Sequence, residues 1–156
     1  MPLRPGSPAP RFRLELLGGG EVDLADWLRG GPVLLAFFKT TCPTCMLAFP
    51  FLERIHKQAK GLRLLAISQD GAPATTRFHD EFGITMVTAI DPADKGYAVS
   101  NSYGITHVPS LFLVSTSGAI EWFSTGFSKP ELEELGRLAG SEVFTASDRV
   151  PVWKPG

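Results

Sequence analysis

The chain has 156 residues, a net charge of −1, and 44% hydrophobic against 20% charged residues. This length and composition are typical of one globular domain that can bury its own apolar core. The balanced charge leaves no basic surface, so we expect no nucleic-acid partner. The longest apolar run, residues 32–38, is too short to span a membrane, so no membrane insertion is expected.

The N-terminal part of the chain alternates between strand-like and helix-like patterns. Residues 12–16 alternate apolar and polar side chains and predict a half-buried strand, which the glycines at 18–20 then turn. Residues 22–28 predict a short helix that ends at Gly30. The continuous apolar run 33–38 predicts a central strand that is covered on both faces.

A long helix is predicted after this strand. Its apolar period covers residues 46–59, and Pro50 should interrupt and kink it. The remaining predicted elements are a strand over 62–67, an amphipathic helix over 73–82, a strand over 86–90, a helical turn within 93–104, a hairpin of strands 110–114 and 119–123, and a helix over 130–139. Ser128 and Glu131 predict a capping box at the last helix. Residues 140–156 have no clear period.

Strand–helix alternation followed by a hairpin and a closing helix predicts an α/β sandwich with a mixed sheet. Both cysteines of the chain, Cys42 and Cys45, follow the central strand directly and lie at the start of the long helix. This handover from strand to helix is where an open α/β sheet keeps its functional site.

Two thiols in the pattern Cys-Pro-Thr-Cys have four possible uses. A structural zinc needs four ligands, and one Cys pair with no suitably spaced histidines supplies only half of such a site. Cu(I) is a separate possibility, because two thiolates alone could hold it. A disulfide that closes so short a loop would stabilise the fold little. Burial as small apolar residues fits Cys45 on the helix's apolar stripe, but not Cys42 in a surface turn.

The fourth use, redox chemistry, is the interpretation that we favour for the two thiols. At a helix N-terminus, unpaired N–H groups and the positive end of the dipole stabilise a thiolate at Cys42, which is the attacking form. Pro43 at the first helical position loses no hydrogen bond and fixes φ. The two intervening residues keep both sulfurs within one turn, where a disulfide can form and break.

The segment LLAFFKTTCPTCMLAFPFLERI, residues 34–55, resembles the active-site strand and helix of TlpA-like thiol–disulfide oxidoreductases in the thioredoxin superfamily, which are related to the AhpC/TSA redoxins. The resemblance covers about residues 5–139 and includes Ala-Pro-Arg-Phe at 9–12 and Tyr-Gly-Ile-Thr-His-Val-Pro-Ser at 103–110. It implies a thioredoxin-like domain over residues 1–139, with an N-terminal extension and an insertion before the cis-proline strand. Residues 140–156 are left as a C-terminal tail of unknown role.

The resemblance also implies the site. Cys42 would be the nucleophile and Cys45 the resolving thiol. The bond between Val108 and Pro109 would be cis, and the backbone of Val108 would pair with an incoming extended client. Together with these two residues, Pro43 and Thr44 between the cysteines would contact the substrate.

The implied function is thiol–disulfide exchange with protein dithiols and disulfides, supplied by an upstream thiol reductant, in cell redox homeostasis and antioxidant defence. The chain would act as a monomer, without cofactor or metal. Pro43-Thr44 reverses the order found in many relatives, so the direction, oxidant or reductant, is not readable. The sequence as given has no signal peptide and predicts a cytoplasmic protein; removal of a signal segment would instead predict an extracytoplasmic one.

Two alternatives remain open. A peroxiredoxin-like thiol peroxidase would carry Pro-x-x-x-Thr-x-x-Cys, which neither cysteine satisfies. A Cu(I)-binding or peptide-binding module of the same fold would need no turnover. A further departure is that relatives often bury a carboxylate beneath the second cysteine, whereas the corresponding positions hold Ala36 and Ala48.

Overall fold

The computed structural model describes all 156 residues. The strands are β1 Arg13–Leu16, β2 Glu21–Asp23, β3 Val33–Phe38, β4 Arg63–Ser68, β5 Val87–Ile90, β6 Ser110–Val114, β7 Ile120–Thr125, β8 Phe127–Ser128 and β9 Trp153–Lys154. The first seven form one mixed sheet in the order β2-β1-β5-β4-β3-β6-β7, and the short strands β8 and β9 form a second sheet. The predicted mixed sheet is confirmed.

The central strand β3 is buried along its whole length, as its apolar run predicts. It pairs in parallel with β4 and antiparallel with β6. Its alternate residues enter two separate apolar clusters, one on each face of the sheet. Because β3 is fixed on both edges and both faces, the residues that follow Phe38 are delivered to a defined point at the end of the sheet.

Five α-helices flank the sheet: α1 Leu24–Leu28, α2 Pro43–Gln58, α3 Ala72–Phe82, α4 Ala98–Ser102 and α5 Lys129–Ala139. The long helix starts three residues earlier than the predicted 46 and continues through Pro50. It packs in the same apolar cluster as α3 and α5, while α1 and α4 contribute to the cluster on the other face. No helix is long and apolar enough to cross a membrane.

Two local predictions were wrong. Residues 22–28 are not one helix, because Glu21–Asp23 form strand β2 against β1, and the Asp23 side chain then caps α1 by accepting from the Asp26 N–H. The capping box of α5 is half formed. Ser128 Oγ accepts from the Glu131 N–H, but the Glu131 carboxylate accepts from Ser124 Oγ.

The tail folds back on the domain. Val143 is buried in the α2 cluster, and Phe144 stacks near Phe51 with ring centroids 4.7 Å apart. Arg54 on α2 binds the carboxylate of Asp148 through two hydrogen bonds of 2.7 and 3.0 Å. These contacts hold residues 143–148 against α2 and direct the last residues of the chain to β8. The boundary at residue 139 stays a prediction.

Candidate active site

Cys42 lies at the N-terminus of α2, four residues after the central strand ends. Its Sγ accepts a hydrogen bond from the backbone N–H of Cys45 at 3.1 Å, so the sulfur itself caps the helix. Pro43 is at the first helical position, where no hydrogen bond is lost. The local geometry is the one that the sequence predicted for a stabilised thiolate.

The pKa of Cys42 is lowered from 9.0 to about 6. The largest cause is the thiol of Cys45, which donates a hydrogen bond to the Cys42 sulfur, and the backbone N–H groups of Cys45 and Thr44 add to it. Partial burial opposes the change, and the positive charge of Lys154 in the tail contributes a smaller lowering. At neutral pH the reactive thiolate therefore predominates.

Cys45 has the opposite environment. It is fully buried, and desolvation is the main cause that raises its pKa far above the ordinary thiol value. Ala36 and Ala48, at the positions where relatives bury an acid, are packed in the same apolar cluster. The negative charge of Asp70 raises the pKa of Cys45 further.

Asp70 is a site residue that the sequence reasoning missed. It follows β4, and its carboxylate accepts from the backbone N–H of Thr40 at 2.7 Å and from the Thr40 hydroxyl at 2.9 Å. The ends of the neighbouring parallel strands β3 and β4 bring the two residues together. Only the strand pairing places this charge near the cysteines, so no local motif could have revealed it.

The loop before β6 lies directly beside Cys42. The Val108–Pro109 peptide bond is cis, as the resemblance implied. The Val108 carbonyl oxygen is 3.4 Å from Cys42 Sγ, and neither its C=O nor its N–H makes a backbone hydrogen bond. Gly126 fixes the far side of the loop by donating to the Pro109 carbonyl at 2.9 Å. The structure therefore brings together both cysteines and the two loop residues predicted to meet the client.

The residues between the cysteines differ in exposure. Pro43 is exposed, whereas Thr44 is buried and donates from Oγ1 to the carbonyl oxygen of Pro155 at 2.6 Å. The tail therefore reaches the redox centre, which the sequence did not predict. Lys39, three residues before Cys42 in the sequence, is exposed, and the lysine whose charge lowers the pKa of Cys42 is Lys154.

The structure contains no group of three or more His, Cys, Asp or Glu side chains placed to hold a metal ion. His79 instead bonds to Thr88 Oγ1 at 3.0 Å, and the exposed His107 bonds to its neighbour Thr106.

With this geometry in place, comparison with known proteins identifies the family. The model of the Redoxin family matches residues 4–138. The chain belongs to the Redoxin family. Among curated relatives, the thiol-disulfide oxidoreductase ResA of Halalkalibacterium halodurans is 32% identical, covering 90% of this chain and 80% of the relative. The thiol:disulfide interchange protein DsbE of Escherichia coli is 30% identical over 83% of this chain and 69% of the relative.

Solved structures share the fold of this chain. The thioredoxin domain of a thiol-disulfide oxidoreductase from Bacteroides vulgatus, 24% identical, superimposes with a TM-score of 0.77 over 88% of this chain and 99% of that one. A putative DsbE from Chlorobium tepidum, 27% identical, gives 0.75 over 86% and 94%. The thioredoxin-like fold and the predicted class, a thiol–disulfide oxidoreductase, are confirmed. The roles of individual residues stay predictions.

Proposed function

We propose that this protein exchanges disulfides with other proteins, with Cys42 as the attacking thiolate and Cys45 as the resolving thiol. One observation carries the proposal: Cys42 is part-exposed, caps a helix with its sulfur and has a lowered pKa, whereas Cys45 is fully buried one turn later. The sulfur that a client can reach is the acidic one. The sulfur that no client can reach is held in place to attack the mixed disulfide.

The exchange with a client uses only the two thiols of this chain, with water as the proton carrier. The Cys42 thiolate attacks one sulfur of a client disulfide, a Cys42–client disulfide forms, and the other client sulfur leaves as a thiolate. Cys45 then gives its proton to water and attacks the Cys42 sulfur, so that the second client sulfur leaves as a thiolate and a Cys42–Cys45 disulfide remains. Both client thiolates take protons from water. An upstream thiol donor returns two electrons and two protons. The reverse sequence oxidises a client dithiol.

Val108 supports a protein client. Its N–H and C=O are free of backbone bonds beside the reactive sulfur, so an extended client segment can pair with them as an added strand. Pro43, exposed at the start of α2, forms the neighbouring contact surface. We propose that one copy of the chain is sufficient, because both thiols and the loop belong to it. The cellular location stays a prediction.

The test compares two variants, each of which lacks one of the two cysteines. A Cys45→Ala variant, which places no unpaired hydroxyl in the apolar core, should accumulate a mixed disulfide between Cys42 and a client that carries a disulfide, such as insulin, detected by mass spectrometry. Cys42→Ala is the matched control and should trap nothing. More efficient trapping by Cys42→Ala would reverse the assignment.

A turnover assay on the native chain separates the alternatives. We expect reduction of insulin disulfides with a thiol donor and little consumption of hydrogen peroxide. Faster peroxide turnover than insulin turnover would favour the peroxidase. Tight binding of Cu(I) by the reduced chain, with insulin left intact, would favour the copper carrier.

A further inference from the structure

The client groove, the surface bounded by Cys42, Thr44, Val108 and Gly126, already has an occupant. Residues 152–156, which we name the strap, cross it, and Trp153–Lys154 within the strap form strand β9. The sequence of this part of the chain indicates no role for it. The hydrogen bonds that hold it use its backbone atoms, as those of an extended client would.

One edge of the strap is held by a strand pair. β9 pairs antiparallel with β8, with Lys154 opposite Phe127, and the Lys129 N–H donates to the Val152 carbonyl at 2.8 Å. Gly126 permits the close approach. Its φ is +71°, and a Cβ there would lie 2.5 Å from the Lys154 carbonyl oxygen. Any larger residue at 126 would press the strap away from the groove.

The rest of the strap occupies the positions beside Thr44 and Val108 where a client would bind. The Pro155 carbonyl accepts the hydrogen bond of Thr44 Oγ1 at 2.6 Å. The backbone of Gly156 lies so close to Val108 that a Cβ on Gly156 would collide with the Val108 carbonyl oxygen. A client strand cannot pair with Val108 on this side while the strap is in place.

The strap is held more weakly than the rest of the tail. The side chains of Val152 and Trp153 are 67% and 62% exposed, so they contribute little apolar burial. Its anchors are a two-residue strand pair, the backbone hydrogen bond from Lys129 to Val152 and one side-chain hydrogen bond. Residues 143–148, by contrast, are fixed by core packing and by the Arg54–Asp148 pair. The client groove therefore opens when only the strap, residues 152–156, detaches from it.

We propose that the strap determines which substrates reach Cys42, because it competes as a tethered occupant with extended protein clients but not with small disulfides. This inference rests on the proposed function. A small disulfide needs only Cys42 Sγ, which remains part-exposed. An extended client must first replace the strap at Val108 and Thr44, so its apparent affinity is reduced by the fraction of molecules in which the strap is open.

The test uses full-length variants in the Cys45→Ala background, so that the reaction stops at the mixed disulfide. Lys154→Pro removes the backbone N–H of the residue paired with Phe127 and weakens the strand pair. Lys154→Gln is the matched control, since it removes the same charge and leaves the pair intact. Gly156→Ala, whose new methyl collides with Val108, releases the strap by an independent route.

Two reagents report access. One is a short peptide of Ala, Ser and Thr whose central cysteine carries a pyridyl disulfide, and the other is dipyridyl disulfide alone. In each case the Cys42 thiolate attacks, a new disulfide to Cys42 forms, and pyridinethiolate leaves. We expect Lys154→Pro to react with the peptide about tenfold faster than Lys154→Gln, as for a strap that is closed in about nine molecules of ten. Their rates with dipyridyl disulfide should be equal.

Equal peptide rates for Lys154→Pro and Lys154→Gln would overturn the inference, and so would a slower rate in Lys154→Pro, because the strap would then be a platform for the client. Gly156→Ala should also accelerate the peptide reaction. Failure of every variant to react with dipyridyl disulfide would refute the proposed role of Cys42 instead. In that case the affinity of the same peptide with serine in place of cysteine still decides on the strap, and it should be higher for Lys154→Pro than for Lys154→Gln.

Discussion

The acidity of Cys42 depends chiefly on its partner thiol. The hydrogen bond from Cys45 is the largest cause that lowers the pKa of Cys42 from 9.0 to about 6. A thiol is negatively charged above its pKa. The Cys42 thiolate therefore predominates above about pH 6 and is lost as the pH falls through that value. Replacement of Cys45 by alanine removes the donor and leaves the backbone N–H in place. The pKa of Cys42 should therefore rise.

The size of the rise follows from the strength of one hydrogen bond. A bond to a charged acceptor contributes about 1.5–3 kcal/mol, and 1.36 kcal/mol corresponds to a change of one in pKa. An S–H group is a weak donor and Cys42 is part-exposed, so we take the lower end. The pKa of Cys42 in Cys45→Ala should then be about 7. At pH 6 the thiolate fraction falls from about one half to about one tenth.

The assay is the rate of alkylation of Cys42 by iodoacetamide as a function of pH, with thiolate absorbance as an independent readout. The midpoint should move up by about one in Cys45→Ala, and the rate at pH 6 should fall about fivefold. Lys154→Gln should move the midpoint in the same direction by less, since the charge of Lys154 makes the smallest contribution to the lowered pKa. An unchanged midpoint in Cys45→Ala would refute the role given to the Cys45 thiol.

Three further predictions concern proton transfer and the tail. Ala48→Glu, which places an acid beside Cys45, should speed release of the mixed disulfide at pH 7 in stopped-flow measurements, and no gain would contradict this. Asp70→Asn should also speed release, because it removes a charge that raises the pKa of Cys45; slower release would identify Asp70 as the proton acceptor. Arg54→Ala should expose the stretch around Asp148 to proteases more than Arg54→Lys does, and equal cleavage would mean that the ion pair does not hold the tail.

The central part of the fold could be predicted because its signals are local. The apolar run Val33–Phe38 is long enough to require burial on both faces, and the proline and cysteines that follow it define a helix start. The same reasoning placed Cys42 at the helix cap. The resemblance to a known family supplied the cis peptide at Val108, which composition and periodicity alone would not have predicted.

Features that depend on distant contacts could not be predicted. Strand β2 has only three residues, and its pairing with β1 overrides the helix that its pattern suggested. The strap has no hydrophobic period, since most of its contacts use backbone atoms. Asp70 reaches the site through strand pairing, and Lys154 through the course of the tail. None of these positions carries a motif in the sequence around it.

The strap couples access to acidity through a single residue. The backbone of Lys154 is part of the strand pair that covers the groove, while its side-chain charge helps to lower the pKa of Cys42. A client that displaces the strap therefore meets a more exposed but slightly less acidic thiol. The hydrogen bonds from Cys45 and the helix N-terminus remain when the strap leaves, and they include the largest cause of the lowered pKa. When the strap opens, the gain in access of the client to Cys42 should therefore exceed the loss of Cys42 thiolate. The rate of reaction with extended clients should increase.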